Sequence, residues 1–535
     1  MRNCAKWLLL LLLAMPMACQ RGELPDPTGR RVDPGALSHG MIELGEQLED
    51  PYSVENMREA LAALYPTRAG EIPVSTTDLY VRFLPVDEDQ YARLLALDLQ
   101  LTDHPVDYRI VREGDYYHDP EVAEDAITWQ YAVVPQNFTF PAGIRYEILD
   151  ECFISEHDPV TRADAGIDWD AVEREAYART GNADLFPETR DGEEGEPSGP
   201  VFPSGRITVE DPDAFGGKPY GLSGVMVCCN SFVKFATAYT DRDGYYQLPK
   251  KYSATPRYRL VFKNSAGFSI GLNLILVPAS VSTLGKGPAS GVDAHIDASS
   301  DGALFRRAAV NNAAYDYIAR CAASDLDIKE PPKDLRIWIF KDLKCSSSAM
   351  LHHGAFVDSN DLVQRYLGGY VSLLKAFLPD ITIGAGGGEA EFVDLYSSTM
   401  HEMAHASHYA QVGNAWWNPY ITYILRSYVT EGREAYGSGT AEDAGYCEIG
   451  EMWGYFMESV LFQDRYGGDI PTFGTSFWFY PQIFRYLYER GMTCAQIFRA
   501  LKSNVTSRDD LLDSLVELYP ERESTLAQVF SRYSR

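Results

Sequence analysis

His401 and His405, in the run His401-Glu402-Met403-Ala404-His405, put two metal-binding imidazoles either side of a carboxylate. On an α-helix, residues four apart lie one turn above each other, so both rings point the same way and can bind one zinc ion through ring nitrogens. Glu402 sits about 100° round the helix, where it reaches a metal-bound water rather than the metal. A metal that lowers the pKa of that water, beside a carboxylate that takes its proton, makes a hydrolytic nucleophile at neutral pH. The pattern alone arises by composition in on the order of one chain in a hundred of this length. A helix in which two histidines happen to fall four apart is the competing reading, so the surroundings decide.

Three features of those surroundings favour a metal site. The chain has ten histidines, and His401, His405 and His408 crowd into one short stretch. Ser397-Ser398-Thr399 and the Gly-rich run Gly384-Ala385-Gly386-Gly387-Gly388 suit a loop feeding a helix start. Downstream, Glu448 and Glu451 open a second helical pattern, Glu451-Met452-Trp453-Gly454-Tyr455-Phe456-Met457-Glu458. A structural zinc closes its fourth position with Cys or His, whereas a catalytic one leaves it open for water. Two His and one Glu form a set of the second kind.

With these residues the chain resembles the gluzincin class of zinc metallopeptidases, in which the third ligand is a Glu on a later helix, often followed by small and aromatic residues. Glu451-Met452-Trp453-Gly454 is similar in pattern. The resemblance therefore implies zinc held by His401, His405 and Glu451, with Glu402 as general base. Glu448, one turn earlier on much the same face, is the second candidate, and Glu431 and Glu434 come third. His408 lies two turns from His401, roughly 10 Å along the axis, and cannot join the same ion on a straight helix. The metzincin class breaks the helix with Gly at that position and adds a later His; here the two positions hold His408 and Gln411. His408 is expected as a supporting or surface residue. An oxyanion donor is expected from Tyr409, Tyr420, Tyr423, Tyr428, Tyr436, Tyr446 or Tyr455, with nothing in the sequence to choose among them.

The elements that must position this site belong to a chain of 535 residues, 45% hydrophobic, enough for several cores. The formal charge of −29 argues against nucleic acid and against charge-driven binding to anionic lipid. Arg2 and Lys6, then the apolar run Trp7 to Ala14, read as a bacterial export signal over residues 1–18. Met15-Pro16-Met17-Ala18-Cys19 resembles a lipobox, which implies lipidation of Cys19, a tether over 19–50 and an outer-membrane lipoprotein of the bacterial cell envelope. Seven further cysteines (152, 228, 229, 321, 345, 447 and 494) contain no Cys-x-x-Cys pair. One or two disulfides suit an exported protein, and the odd number leaves one thiol over.

The fold class expected is multidomain α+β. Residues 51–156 read as an α+β unit, with Tyr80–Leu84, Trp129–Val133 and Tyr146–Leu149 as strands and Tyr91–Leu95 as a short helix. Residues 157–202, acidic and rich in Gly and Pro, read as a linker. Residues 203–285 read as a small β-sandwich whose run Thr240-Asp241-Arg242-Asp243-Gly244-Tyr245 resembles the transthyretin-like, carboxypeptidase-regulatory-like domain, with Asp241 and Asp243 as turn formers. Residues 295–535 form the mostly helical zincin-like region, with Ile381-Thr382-Ile383 as an edge strand above the active-site helix.

The sequence thus leads to a zinc metallopeptidase acting on a peptide, protein or glycoprotein substrate and reaching the membrane by its lipid anchor only. The rival is a non-catalytic surface binding lipoprotein of a nutrient-capture assembly.

Overall fold

The computed structural model describes residues 19–20 and 41–533, except 115, 124–125, 159–165, 187–199, 272–280, 301, 324–325, 342, 344, 356–377, 387–390 and 431–435. The export signal and the candidate ligands Glu431 and Glu434 lie outside the described residues, and of Tyr428 only the backbone is described. The architecture is mixed, with helices and several separate sheets.

The first unit is a three-stranded antiparallel sheet in which β1 (Asp78–Leu84) lies between β2 (Gln130–Pro135) and β3 (Arg145–Cys152). Helix α1 (Val54–Leu64) packs against α2 (Trp169–Arg179) through Met57, Leu61, Val172 and Ala176. Helix α2 falls inside the stretch expected to be a linker. Its apolar residues recur every three to four positions, and the acidic composition around them hid that period.

The sandwich follows. Its smaller sheet places β4 (Ser204–Val209) between β7 (Tyr245–Gln247) and β11 (Ala294–Ile296). The larger sheet begins β6 (Lys234–Tyr239), β5 (Val225–Ser231), β8 (Arg257–Asn264), with β10 (Val281–Lys286) also paired to β8. Asp241 accepts hydrogen bonds from the backbone of Asp243 and Tyr245, so it forms the turn as expected. Gly244 has φ +84°, and a Cβ there would lie 2.0 Å from the Ile207 carbonyl oxygen.

The larger sheet does not stop at the end of the sandwich. After the hairpin from β8 to β9 (Phe268–Gly271), β9 pairs in parallel with β12 (Leu335–Phe340), and β12 with β14 (Ile381–Gly384). Ile270, Ile337 and Ile381 lie in register across these three strands and are all fully buried. The boundary drawn at residues 285–295 is therefore crossed by one sheet and one continuous apolar core. The free side of β14 is partly covered by residues 345–347. Ser347 exchanges two backbone hydrogen bonds with Thr382, and β13 (Cys345–Ser346) lies just before it. Cys19–Gln20 pairs antiparallel with β13.

Helices α3 (Gly302–Cys321) and α4 (Phe392–Val412) pack on this sheet, α5 (Asn414–Thr430) and α6 (Ala444–Tyr466) pack against α4, and four shorter helices follow between Gln482 and Ser531. Helix α4 is buried on nearly every side, which suits an element enclosed by α3, α6 and the sheet. No helix among the described residues is long and apolar enough to cross a membrane. The seven cysteines beyond Cys19 are free buried thiols scattered through these cores, so the expected disulfides are not formed among them.

Arg465 ties the helices to the sandwich. Its guanidinium pairs with buried Asp211 at 2.7 Å and sits 4.5–5.7 Å from the rings of Phe215, Tyr220, Phe392, Tyr396 and Tyr466. These contacts join the sandwich to the first turns of α4 and the last turn of α6. Removing one partner of a buried ion pair strands the other charge. Arg465→Ala is expected to lower stability by about 3–5 kcal/mol, measured by denaturant unfolding; a change under about 1 kcal/mol would show that the contact does not hold the two parts together.

Candidate metal centre

Helix α4 carries His401, Glu402 and His405, and α6 runs beside it carrying Glu451, Gly454, Tyr455 and Glu458 on one face. The approach is close because Gly454 has no side chain. A Cβ at that position would lie 2.8 Å from His401 Nε2 and 2.9 Å from His405 Cε1. The small residue of the sequence pattern is thus a steric requirement of the site.

The Nε2 atoms of His401 and His405 face each other at 3.0 Å. Glu451 completes the group, with Oε2 3.5 Å from His401 Nε2 and Oε1 3.7 Å from His405 Nε2. All three side chains are buried. Glu448, the second candidate, is committed elsewhere, 2.6 Å from the Arg508 guanidinium.

Side chains with no supporting role assigned from the sequence hold these groups in place. His401 Nδ1 lies 3.1 Å from Glu458 Oε2, and Glu458 Oε1 accepts a hydrogen bond from Ser397 at 2.7 Å. A ring that donates from Nδ1 to a carboxylate turns a lone pair on Nε2 toward the site, the arrangement a metal ligand needs. Tyr420 donates to Glu451 Oε1 at 2.6 Å, while Oε2 has no hydrogen bond. Ser348 Oγ is 2.8 Å from Glu402 Oε2 and 2.8 Å from the Glu402 carbonyl oxygen. Glu458 lies seven residues after Glu451, two turns along the same face, so its position was legible. Ser348 carried no local signal, because β13 and the loop after it bring it to α4 from 54 residues away.

Three buried carboxylates (Glu402, Glu451 and Glu458) thus surround two imidazoles. Burial works against a charged His401, yet the Glu451 and Glu458 carboxylates beside it and the charge of Glu402 outweigh it and raise its pKa. Burial likewise opposes ionisation of Glu451, but His405 and His401 hold it below the usual carboxylate range. The pocket is built to hold positive charge, and uncompensated buried charge is costly. A divalent cation at His401, His405 and Glu451 meets that demand with the converging nitrogens and with the Glu451 oxygen that has no hydrogen bond. The donor set fits a metal.

His408 does not belong to this group and is not on the surface. It is fully buried against Trp416, ring centroids 4.5 Å apart, with neither ring nitrogen hydrogen-bonded. Burial, helped slightly by the charge of His405, pushes its pKa down to about 3, so the ring is neutral. His408→Leu is expected to keep the metal and leave stability unchanged or about 1 kcal/mol higher, read from the denaturant midpoint. Loss of metal would make His408 part of the site.

Among the candidate tyrosines, Tyr420 is engaged by Glu451, Tyr423 donates to the Tyr436 carbonyl and Tyr409 to that of His353. Tyr446 packs on Trp416. Tyr455 packs edge-on to His401 at 4.4 Å, and its hydroxyl lies 3.0 Å from that of Tyr436. The ring that carries one of these hydroxyls thus packs against His401.

No protein family matches the chain, and no curated protein or solved structure matches it either.

Proposed function

We propose that the chain is a zinc-dependent hydrolase of gluzincin type, a metallopeptidase that cleaves peptide bonds at the bacterial cell surface. The observation that carries this reading is the pairing of a two-His, one-Glu donor set with a neighbouring carboxylate, Glu402, fixed by Ser348. His401, His405 and Glu451 hold the ion, and Glu458 and Tyr420 fix two of these ligands from behind. Zinc, when bound, supplies Lewis-acid polarisation of the substrate carbonyl and a water of lowered pKa.

Glu402, its Oε2 held by Ser348, takes a proton from the water that attacks the peptide carbonyl and passes it to the departing amide nitrogen. The Tyr436–Tyr455 hydroxyl pair is the donor assigned to the oxygen that gains negative charge. Ser348→Ala is expected to lower turnover roughly 10–100-fold with zinc content unchanged, the usual cost of losing an outer-shell partner; steady-state kinetics with unchanged kcat would contradict the role. The convergence of His401, His405 and Glu451 beside Glu402 supports the enzyme over the binding protein.

Localisation follows from the lipobox-like residues before Cys19, which make the protein a lipid-anchored component of the cell envelope. The test of the activity is cleavage of a peptide library by the full chain. Chelation should abolish it and one equivalent of zinc restore it. Cleavage that survives complete metal removal would contradict the reading.

A further inference from the structure

Strands β4 and β11 run side by side in parallel, with Thr208 opposite His295 and Val209 opposite Ile296. The Glu210 amide donates to the Ile296 carbonyl at 2.9 Å and carries the pairing one residue further. Alternation along each strand puts Thr208 and Glu210 on one face, and His295 and Asp297 on that same face. Three possible ligand atoms therefore converge at the end of the smaller sheet. His295 Nε2 lies 3.4 Å from Glu210 Oε2 and 3.8 Å from Asp297 Oδ2, and all three atoms fall within 4.8 Å of one another.

The surroundings fix the chemistry of these atoms. Thr208 Oγ1 donates to the Ala294 carbonyl at 3.3 Å and so offers a lone pair to His295 Nδ1, 3.2 Å away. In the tautomer that gives its Nδ1 proton to Thr208 Oγ1, the Nε2 lone pair faces the two carboxylates. Asp297 Oδ1 accepts from the Ser299 amide at 2.8 Å, the Ser299 hydroxyl at 2.6 Å and the Ser300 amide at 3.1 Å, leaving Oδ2 turned toward His295. With that lone pair facing them, the imidazole and the two carboxylate oxygens converge on a position that one cation can occupy. Bonds of about 2.0–2.1 Å at tetrahedral angles separate ligand atoms by roughly 3.3–3.4 Å, close to the two distances from His295.

We propose that Glu210, His295 and Asp297 form a second site for a divalent metal of the zinc class, on the sandwich and independent of the centre on α4 and α6. The three side chains are about one third exposed, so water completes the coordination and the ion exchanges readily. Its place in the fold gives it a role. Glu210 directly precedes Asp211, which holds Arg465 at the end of α6, so the ion clamps the two strands whose ends anchor the helix carrying Glu451.

Two zinc titrations test this, using calorimetry at neutral pH together with thermal unfolding. In the wild-type chain, His295→Ala should take up one zinc fewer, whatever is held at His401 and His405. In Glu451→Ala, which removes the first site, one weaker zinc should remain and raise the Tm, and both effects should vanish in Glu451→Ala with His295→Ala. A stoichiometry and Tm shift unaffected by His295→Ala would overturn the proposal and leave the three residues as an ion pair around a protonated imidazole. Neither outcome depends on the chain being a peptidase.

Discussion

Glu402→Gln is expected to retain zinc and to lose turnover by about 10²–10⁴-fold, the usual contribution of a positioned general base. The substitution keeps the shape of the side chain, and its amide oxygen can still accept the hydrogen bond that Ser348 gives Oε2. What it removes is the ability to carry a proton between the attacking water and the departing amine. Glu402 is fully buried, so bulk water does not replace it directly. The loss should fall on kcat, with KM little changed, because the proton is transferred only in the transition state. Measured kcat together with metal content separates this from a trivial loss of the ion. A variant that keeps wild-type turnover would remove Glu402 from the mechanism.

The second large effect is expected at Gly454, a residue that contacts neither a base nor a substrate. An alanine Cβ there would fall 2.8 Å from His401 Nε2, the atom that must face the ion, and 2.9 Å from His405 Cε1. Something has to move. Retreat of α6 would draw Glu451 away from the histidines, while rotation of the rings would break the contact between His401 and Glu458. Either response dismantles the donor set. Zinc affinity in Gly454→Ala should therefore fall by more than about 100-fold, beyond the 10–100-fold typical of losing an outer-shell partner. Competition with a chromophoric chelator measures this. By contrast, Gly450→Ala meets only the edge of Tyr420 at 3.2 Å and should cost much less. Equal zinc affinity in wild type and Gly454→Ala would show that the close helix approach is not needed.

How much of this was legible in the sequence depends on the distance over which each contact forms. His401 and His405 were readable because a single helical turn joins them. Glu451 was reached through its resemblance to a known pattern, and the structure brings it within 3.7 Å of both rings. Glu458 could have been read from its two-turn spacing on the same helix face. Ser348 could not, since its place beside Glu402 depends on the path of β13 along β14. The shared sheet was hidden for a similar reason. The apolar run at residues 335–340 suits a strand, but nothing local says that a parallel strand pairs with Phe268–Gly271 across the end of the sandwich. Tertiary packing also decided His408, whose polar side chain suggested a support or a surface and whose surroundings are two tryptophans.

The most direct test of the central claim is the zinc content of the full chain after dialysis against a weak chelator, for wild type, Glu451→Ala and His295→Ala. About one tightly held zinc is expected in the wild type, kept by His295→Ala and lost in Glu451→Ala. A wild-type chain that holds no zinc after reconstitution, or a Glu451→Ala chain that holds it as firmly as the wild type, would contradict it.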